Sequence, residues 1–175
     1  MKKTLISFLL LTVTLSAQNK MTFGVIGSQF NNLGSGQKLT KIDKPFGYGF
    51  IFGYHLDKNL SFALTSEYVN GNLTDNSGKE NDIRLHISAF LSPINYKYLR
   101  AYISTGFVYS HRKYEYNTLK ADESKSFFNG RFGLGLDYKF HENIFLNIDL
   151  GFYNDGLMLS GWSSSIGLRF MPHIF

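Results

Sequence analysis

The chain has 175 residues, a formal net charge of +5 and no cysteine. Without cysteine it can form neither disulfides nor thiolate metal sites, and it cannot carry a cysteine-linked lipid. The charge is too small to indicate binding to nucleic acid. Aromatic residues make up 17% of the sequence and there are only three prolines, a composition that favours strands over helices.

The N-terminal segment has the features of a secretory signal peptide. Lys2 and Lys3 precede an apolar run over residues 5–15, the order typical of such signals. This run is too short for a membrane-spanning helix, which needs about 20 residues. We therefore expect residues 1–17 to be removed, which takes Lys2 and Lys3 away and lowers the formal charge from +5 to +3. Residues 18–175 then form one domain.

Large apolar residues alternate with small or polar residues through most of the chain. From Phe46 to Tyr54, aromatic side chains occupy every second position, and the positions between them are held by glycine except at Ile51. Segments of about ten residues with this period are typical of membrane-spanning strands. The sequence predicts an all-β fold, an eight-stranded antiparallel up-and-down transmembrane β-barrel. The predicted strands are 21–30, 46–55, 60–69, 83–91, 99–110, 128–140, 144–153 and 162–171.

The lengths of the predicted connections agree with this architecture. Outer-membrane barrels have short periplasmic turns and longer external loops. The short connections are 57–59, 92–98 and 141–142, whereas the long polar ones are 31–44, 71–82 and 113–125. The remaining outer connection, 154–161, is brief. Both chain ends should consequently lie in the periplasm.

Charged residues within the predicted strands fall on the face opposite the large apolar side chains. An arginine facing lipid at the bilayer midplane costs roughly 2–4 kcal/mol, so this separation is expected of a membrane barrel. In a barrel of about eight strands, side chains just fill the interior. We interpret the inward set as a structural hydrogen-bonded network rather than a pore lining. Its members are Glu67, Arg84, His86, Arg100, Arg131, Asp137, Asp149 and Arg169.

The alternative fold is a soluble β-sandwich or lipocalin-like barrel with the aromatic rings inside. Such a protein would have to bury the rings and expose the alternating glycines, including Gly47, Gly49 and Gly133. Small residues instead suit the inner wall of a narrow barrel. Aromatic side chains near the predicted strand ends also suit the two membrane boundaries.

The signal peptide, the alternating strands and the final segment 162–170 resemble the small outer-membrane β-barrel proteins, those like outer-membrane protein X and the membrane domain of outer-membrane protein A. The resemblance implies Sec-type export to the outer membrane of a Gram-negative-type cell, and contact with outer-membrane lipid. It also implies that the barrel-assembly machinery recognises a final aromatic residue. Either Phe170 or Phe175 fits that role. Members of this fold serve in adhesion, anchoring, lipid modification and transport.

The sequence predicts a noncatalytic envelope protein without a cofactor or metal, whose external ligand it does not identify. The best candidates for an external contact are Arg112, Lys113, Tyr114 and Tyr116 in the third predicted outer loop, because tyrosine and arginine are favoured at binding hot spots. A solvated loop of mixed charge explains the same residues.

Two other functions remain open, a lipid-modifying outer-membrane hydrolase and an accessory barrel of a secretion or transport assembly. A hydrolase would need a serine nucleophile beside a histidine base. The sequence offers His86 with Ser88, and Ser110 with His111. Neither pair has an identifiable orienting partner, so a structural role explains both more simply.

Overall fold

The computed structural model describes residues 21–33, 40–42, 45–117, 121–155 and 158–171. They form a closed antiparallel barrel of eight strands joined in chain order, which confirms the predicted fold class. The strands are β1 (Met21–Asn32), β2 (Phe46–His55), β3 (Leu60–Asn72), β4 (Gly78–Asn95), β5 (Leu99–Tyr116), β6 (Glu123–His141), β7 (Ile144–Asp155) and β8 (Met158–Phe170). The predicted signal peptide, the expected mature N-terminus at Gln18 and the terminal Phe175 lie outside the described residues. Within those residues, no helix is long and apolar enough to cross a membrane.

The barrel closes between its first and last strands. β1 pairs with β8 from Phe23 opposite Phe170 to Asn32 opposite Gly161. Closure leaves no free sheet edge at this seam, and a free edge in hydrocarbon would cost several kcal/mol for each unpaired backbone group.

Side chains alternate between an apolar outer face and a polar inner face. On β2, Phe46, Tyr48 and Phe50 are 58%, 56% and 70% exposed, whereas Gly47 and Gly49 between them are buried. Large apolar side chains project outward from every strand, and a soluble monomer rarely exposes so extensive an apolar surface. The observed orientation is therefore the reverse of that in a soluble sandwich.

Three strands extend well beyond their predicted ends. β4, β5 and β6 have 18, 18 and 19 residues, whereas β2 has 10. About half of each predicted loop, 71–82 and 113–125, is thus strand, and the assignment of residues 71–72, 78–82, 113–116 and 123–125 to loops is wrong. The extra segments pair through polar residues, for example Asp82 opposite Arg112 and Lys79 opposite Glu115. Apolar alternation stops where a strand leaves hydrocarbon, but backbone pairing continues.

We call the two ends of the barrel the short-turn end and the long-loop end. The short-turn end carries the connections 56–59, 96–98 and 142–143, and at the long-loop end β1 ends at Asn32, β3 at Asn72, β5 at Tyr116 and β7 at Asp155. At the long-loop end, the pairing of β6 with β7 begins with Gly130 opposite Asn154. Residues 123–129 of β6 therefore extend past the end of the β6–β7 pairing, on the long-loop side, while they remain paired with β5.

Candidate functional site

The barrel encloses a densely charged lumen. All eight inward residues predicted from the sequence are buried there, together with Glu80, Asp82 and Arg112. The buried arginines and carboxylates are equal in number, five of each: Arg84, Arg100, Arg112, Arg131, Arg169, Glu67, Glu80, Asp82, Asp137 and Asp149. Because buried charges are costly unless they are paired and hydrogen-bonded, the geometry of these contacts determines what the lumen can do.

Glu67 is at the centre of the first group, in the middle of the lumen. Its Oε1 accepts a hydrogen bond from Ser28 Oγ at 2.5 Å, and its Oε2 lies 2.7 Å from His86 Nε2. The edge of the His86 ring packs against Tyr153, with 6.2 Å between ring centroids. The partner of His86 is thus a carboxylate on the neighbouring strand β3.

Arg131 on β6 holds a second group together. Its Nη2 is ion-paired with Asp149 on β7, and its Nη1 donates to Ser104 Oγ at 3.0 Å. A Cβ on Gly133 would lie 2.9 Å from Arg131 Nη1, and a Cβ on Gly151 would lie 2.8 Å from Nε. These two glycines therefore provide the space that the guanidinium group occupies.

A third group lies towards the short-turn end, where Asp137 is the carboxylate nearest to two arginines. Its Oδ1 lies 3.4 Å from Arg169 Nη1 and its Oδ2 lies 3.9 Å from Arg100 Nη1. Arg100 also donates from Nε to Ser92 Oγ at 2.6 Å and from Nη2 to Ser61 Oγ at 3.0 Å. The two guanidinium groups therefore share one carboxylate.

The fourth group lies at the long-loop end and includes part of the first outer connection. Asp82 Oδ2 accepts hydrogen bonds from Arg84 Nε at 2.8 Å and Arg112 Nε at 3.1 Å. Glu80 accepts from Thr40 Oγ1 at 2.9 Å and from the backbone N–H of Lys41 at 2.8 Å. We call residues 40–42 the strap, because these bonds hold them across the barrel mouth.

The four predicted loop-contact residues all lie on β5. Arg112 and Tyr114 point into the barrel and are 2% and 1% exposed, so their assignment to an external contact loop is wrong. Lys113 points outward and lies 2.9 Å from Glu115, and Tyr116 at the end of the strand is partly exposed. The cause is the two-residue period of β5, which continues past Ser110.

The predicted serine–histidine pairs are not formed. Ser110 is buried in the lumen, and His111 next to it points outward. His111 Nδ1 instead lies 3.0 Å from Ser126 Oγ, which is also 3.0 Å from the Tyr109 hydroxyl. No described carboxylate orients His111. Within the described ranges, no three residues of the His, Cys, Asp and Glu types are grouped to hold a metal ion.

Two small cavities interrupt the packing of the lumen. One, of about 30 Å³, lies among residues of the first two groups, including Glu67, His86, Arg131 and Asp149. The other, of about 10 Å³, lies nearer the short-turn end. Volumes of this size hold about one or two water molecules, not a hydrated solute.

Comparison with solved structures places this fold among small outer-membrane barrels. The N-terminal β-barrel domain of Pseudomonas aeruginosa OprF matches with a TM-score of 0.62 and 19% identity over 85% of this chain and 96% of that one. Neisserial surface protein A matches with a TM-score of 0.64 and 14% identity over 86% and 96%. Ail, the attachment invasion locus protein of Yersinia pestis, matches with a TM-score of 0.55 and 17% identity over 86% and 97%.

No curated protein sequence matches the chain. A family model, the outer membrane protein beta-barrel domain, matches residues 4–170. The closed barrel with its apolar exterior and charged lumen is what such a domain requires. The chain therefore belongs to the outer membrane protein beta-barrel domain family and is located in the outer membrane of a Gram-negative-type cell.

Proposed function

We propose that this barrel is a noncatalytic envelope protein whose lumen is a structural plug and whose long-loop end carries recognition. The observation that supports this most is the network of five arginines and five carboxylates that are buried in the described part of the lumen. Removing one partner from a buried pair typically costs about 3–5 kcal/mol of stability. Separating these pairs to open a path through the lumen would therefore destabilise the barrel.

The long-loop end offers a raised surface for recognition. A strand of about ten residues crosses the apolar band of the membrane, so the 18 residues of β5 leave about eight beyond it. At roughly 3.3 Å per residue and a tilt near 45°, these extend roughly 19 Å further. β4 and β6 extend beside β5, so a continuous sheet projects from the barrel.

Two measurements on the purified protein test the noncatalytic, plugged barrel. In planar bilayers we expect no stable unitary conductance, and during incubation with lipid A we expect no release of acyl chains. Discrete conductance steps would contradict the plug. Released acyl chains would contradict the noncatalytic assignment.

A lipid-modifying hydrolase is the second candidate, and one contact favours it. His111 and Ser126 are hydrogen-bonded on the outer face of the barrel, where a base and a nucleophile could meet a lipid ester. If the acyl-release assay is positive, Ser126→Ala should abolish the activity and Ser124→Ala on the same strand should not.

A role as accessory barrel in a larger assembly would be detected by crosslinking in cells.

We also propose that residues 1–17 are removed during export and that β8 carries the signal for the barrel-assembly machinery. Phe170 ends β8 with its ring 47% exposed on the lipid-facing side, the position expected of a terminal aromatic signal. Intact mass should show a mature chain starting at Gln18. Phe170→Ser should lower the amount of assembled barrel, whereas Ser164→Ala on the same face should not.

A further inference from the structure

The small cavity near the short-turn end is lined by both polar and apolar residues, the apolar ones being Ile51, Gly53, Phe62, Ala63, Phe90 and Met171. Its volume is about 10 Å³, close to the space that one water molecule occupies. We call it the short-turn cavity. Its polar lining consists of Thr22, His55, Ser61, Arg100 and Arg169, and each of these residues is buried.

Two of the donors have no partner. His55 Nε2 lies 2.7 Å from Thr22 Oγ1, and this hydroxyl makes no other side-chain hydrogen bond among the described residues, so we assign it as the donor. The ring proton of neutral His55 is then on Nδ1. His55 Nδ1 and Arg169 Nε are both buried without a hydrogen-bond partner in the described part of the chain. A buried donor without an acceptor is costly, so a species that accepts two hydrogen bonds would be stabilised here.

The charges around the cavity also favour an anion. Arg100 and Arg169 share Asp137, at 3.9 Å and 3.4 Å. The next carboxylate along the lumen, Asp149, is already ion-paired with Arg131. This end of the lumen therefore carries one positive charge more than its carboxylates neutralise. Among the described residues, the only other contact of Arg100 Nη1 besides Asp137 is with Met171 Sδ at 3.9 Å. The positive charge of Arg100 is therefore also incompletely neutralised.

We propose that the short-turn cavity binds one small monovalent anion, chloride under ordinary salt conditions, which accepts hydrogen bonds from His55 Nδ1 and Arg169 Nε. A halide ion accepts hydrogen bonds and donates none, so it matches the two unpartnered donors, His55 Nδ1 and Arg169 Nε. Its single charge balances the shared guanidinium groups. Phosphate and sulfate are too large for a space of this volume.

Halide scattering gives the direct test. Crystals of the full mature barrel are grown with bromide as the only halide, and anomalous differences are collected at the bromine edge. We expect one peak in the short-turn cavity within hydrogen-bond distance of both His55 Nδ1 and Arg169 Nε. A cavity with ordinary water density and no anomalous peak would overturn the proposal.

Salt-dependent stability gives an independent test in solution. Unfolding is measured in chloride and in gluconate, which is too large for the cavity, at the same ionic strength of about 0.15 M. If chloride is present at 100 times its dissociation constant, the ratio of unfolded to folded protein should fall about 100-fold relative to gluconate.

Two variants locate the effect. His55→Phe keeps a ring but removes the Nδ1 donor, so the difference between chloride and gluconate should disappear. Ser163→Ala, a lumen substitution beside Tyr153, should keep the full difference. A chloride effect of equal size in His55→Phe would show that the anion binds elsewhere and would refute this site. If His55→Phe does not fold, the bromide experiment on the unaltered chain decides the question.

Discussion

Breaking the ion pair between Arg131 and Asp149 should destabilise the barrel strongly. Arg131→Met keeps an apolar stem in place but leaves the Asp149 carboxylate in a buried site, where its remaining hydrogen bond is from the Tyr102 hydroxyl at 3.1 Å. Losing one member of a buried pair typically costs about 3–5 kcal/mol. At 1.36 kcal/mol for each factor of ten, the unfolding equilibrium constant should rise about 10²- to 10⁴-fold.

The assay is equilibrium unfolding by urea in detergent micelles, followed by the fluorescence of Trp162. Lys113→Met is the matched control, because it removes an ion pair with Glu115 whose side chains are 53% and 44% exposed. Such surface pairs contribute about 0–1 kcal/mol. The double variant Arg131→Met/Asp149→Leu should recover most of the lost stability, because it leaves no isolated charge. An Arg131→Met variant as stable as the Lys113→Met control would refute the packed-lumen reasoning.

Three further results are expected. Cysteines at Val25 and Leu168, which face each other across the β1–β8 seam, should form a disulfide in the assembled barrel, whereas cysteines at Val25 and Ser164 should not. The Ser77 hydroxyl and then the Ser77 backbone N–H hold the pKa of the exposed Asp75 carboxyl below its ordinary value, so Ser77→Ala should raise the Asp75 midpoint in an NMR titration. An unchanged midpoint would show that the Ser77 hydroxyl does not lower the Asp75 pKa. Glu80→Ala removes the two carboxylate oxygens that accept hydrogen bonds from Thr40 Oγ1 and the Lys41 N–H, so trypsin should cleave after Lys41 faster than in Glu115→Ala, and equal rates would show that Glu80 does not hold the strap.

The two-residue period was sufficient to predict the membrane-spanning part of the barrel. β2 was predicted at its observed bounds, because every position from Phe46 to His55 obeys the alternation. The polar extensions of β4 and β5 were missed because their outward-facing side chains, such as Lys79 and Lys113, are polar, which removes the apolar signal. Arg84 points inward, and continuing its two-residue period to Asp82 and Glu80 would have found both lumen carboxylates that the prediction missed.

The strap illustrates what the sequence could not predict. Thr40 and Glu80 are separated by 40 positions, and their contact depends on the path of a connection between β1 and β2. The residues around Thr40 and around Glu80 show no periodic pattern from which their contact could be predicted. The sequence likewise could not predict that two unpaired donors line the short-turn cavity. His55 belongs to β2 and Arg169 to β8, so they are brought together only by the closed barrel.

The arrangement of the lumen pairs has a consequence for the order of folding. Several of them join neighbouring strands: Glu67 on β3 with His86 on β4, Asp82 on β4 with Arg112 on β5, and Arg131 on β6 with Asp149 on β7. These contacts are local along the chain, so each can form within a hairpin at a low cost in loop-closure entropy. The Ser28–Ser165 hydrogen bond links strands 137 positions apart and requires the complete cylinder. Charge neutralisation can therefore proceed hairpin by hairpin, whereas the Ser28–Ser165 hydrogen bond forms only when β1 meets β8.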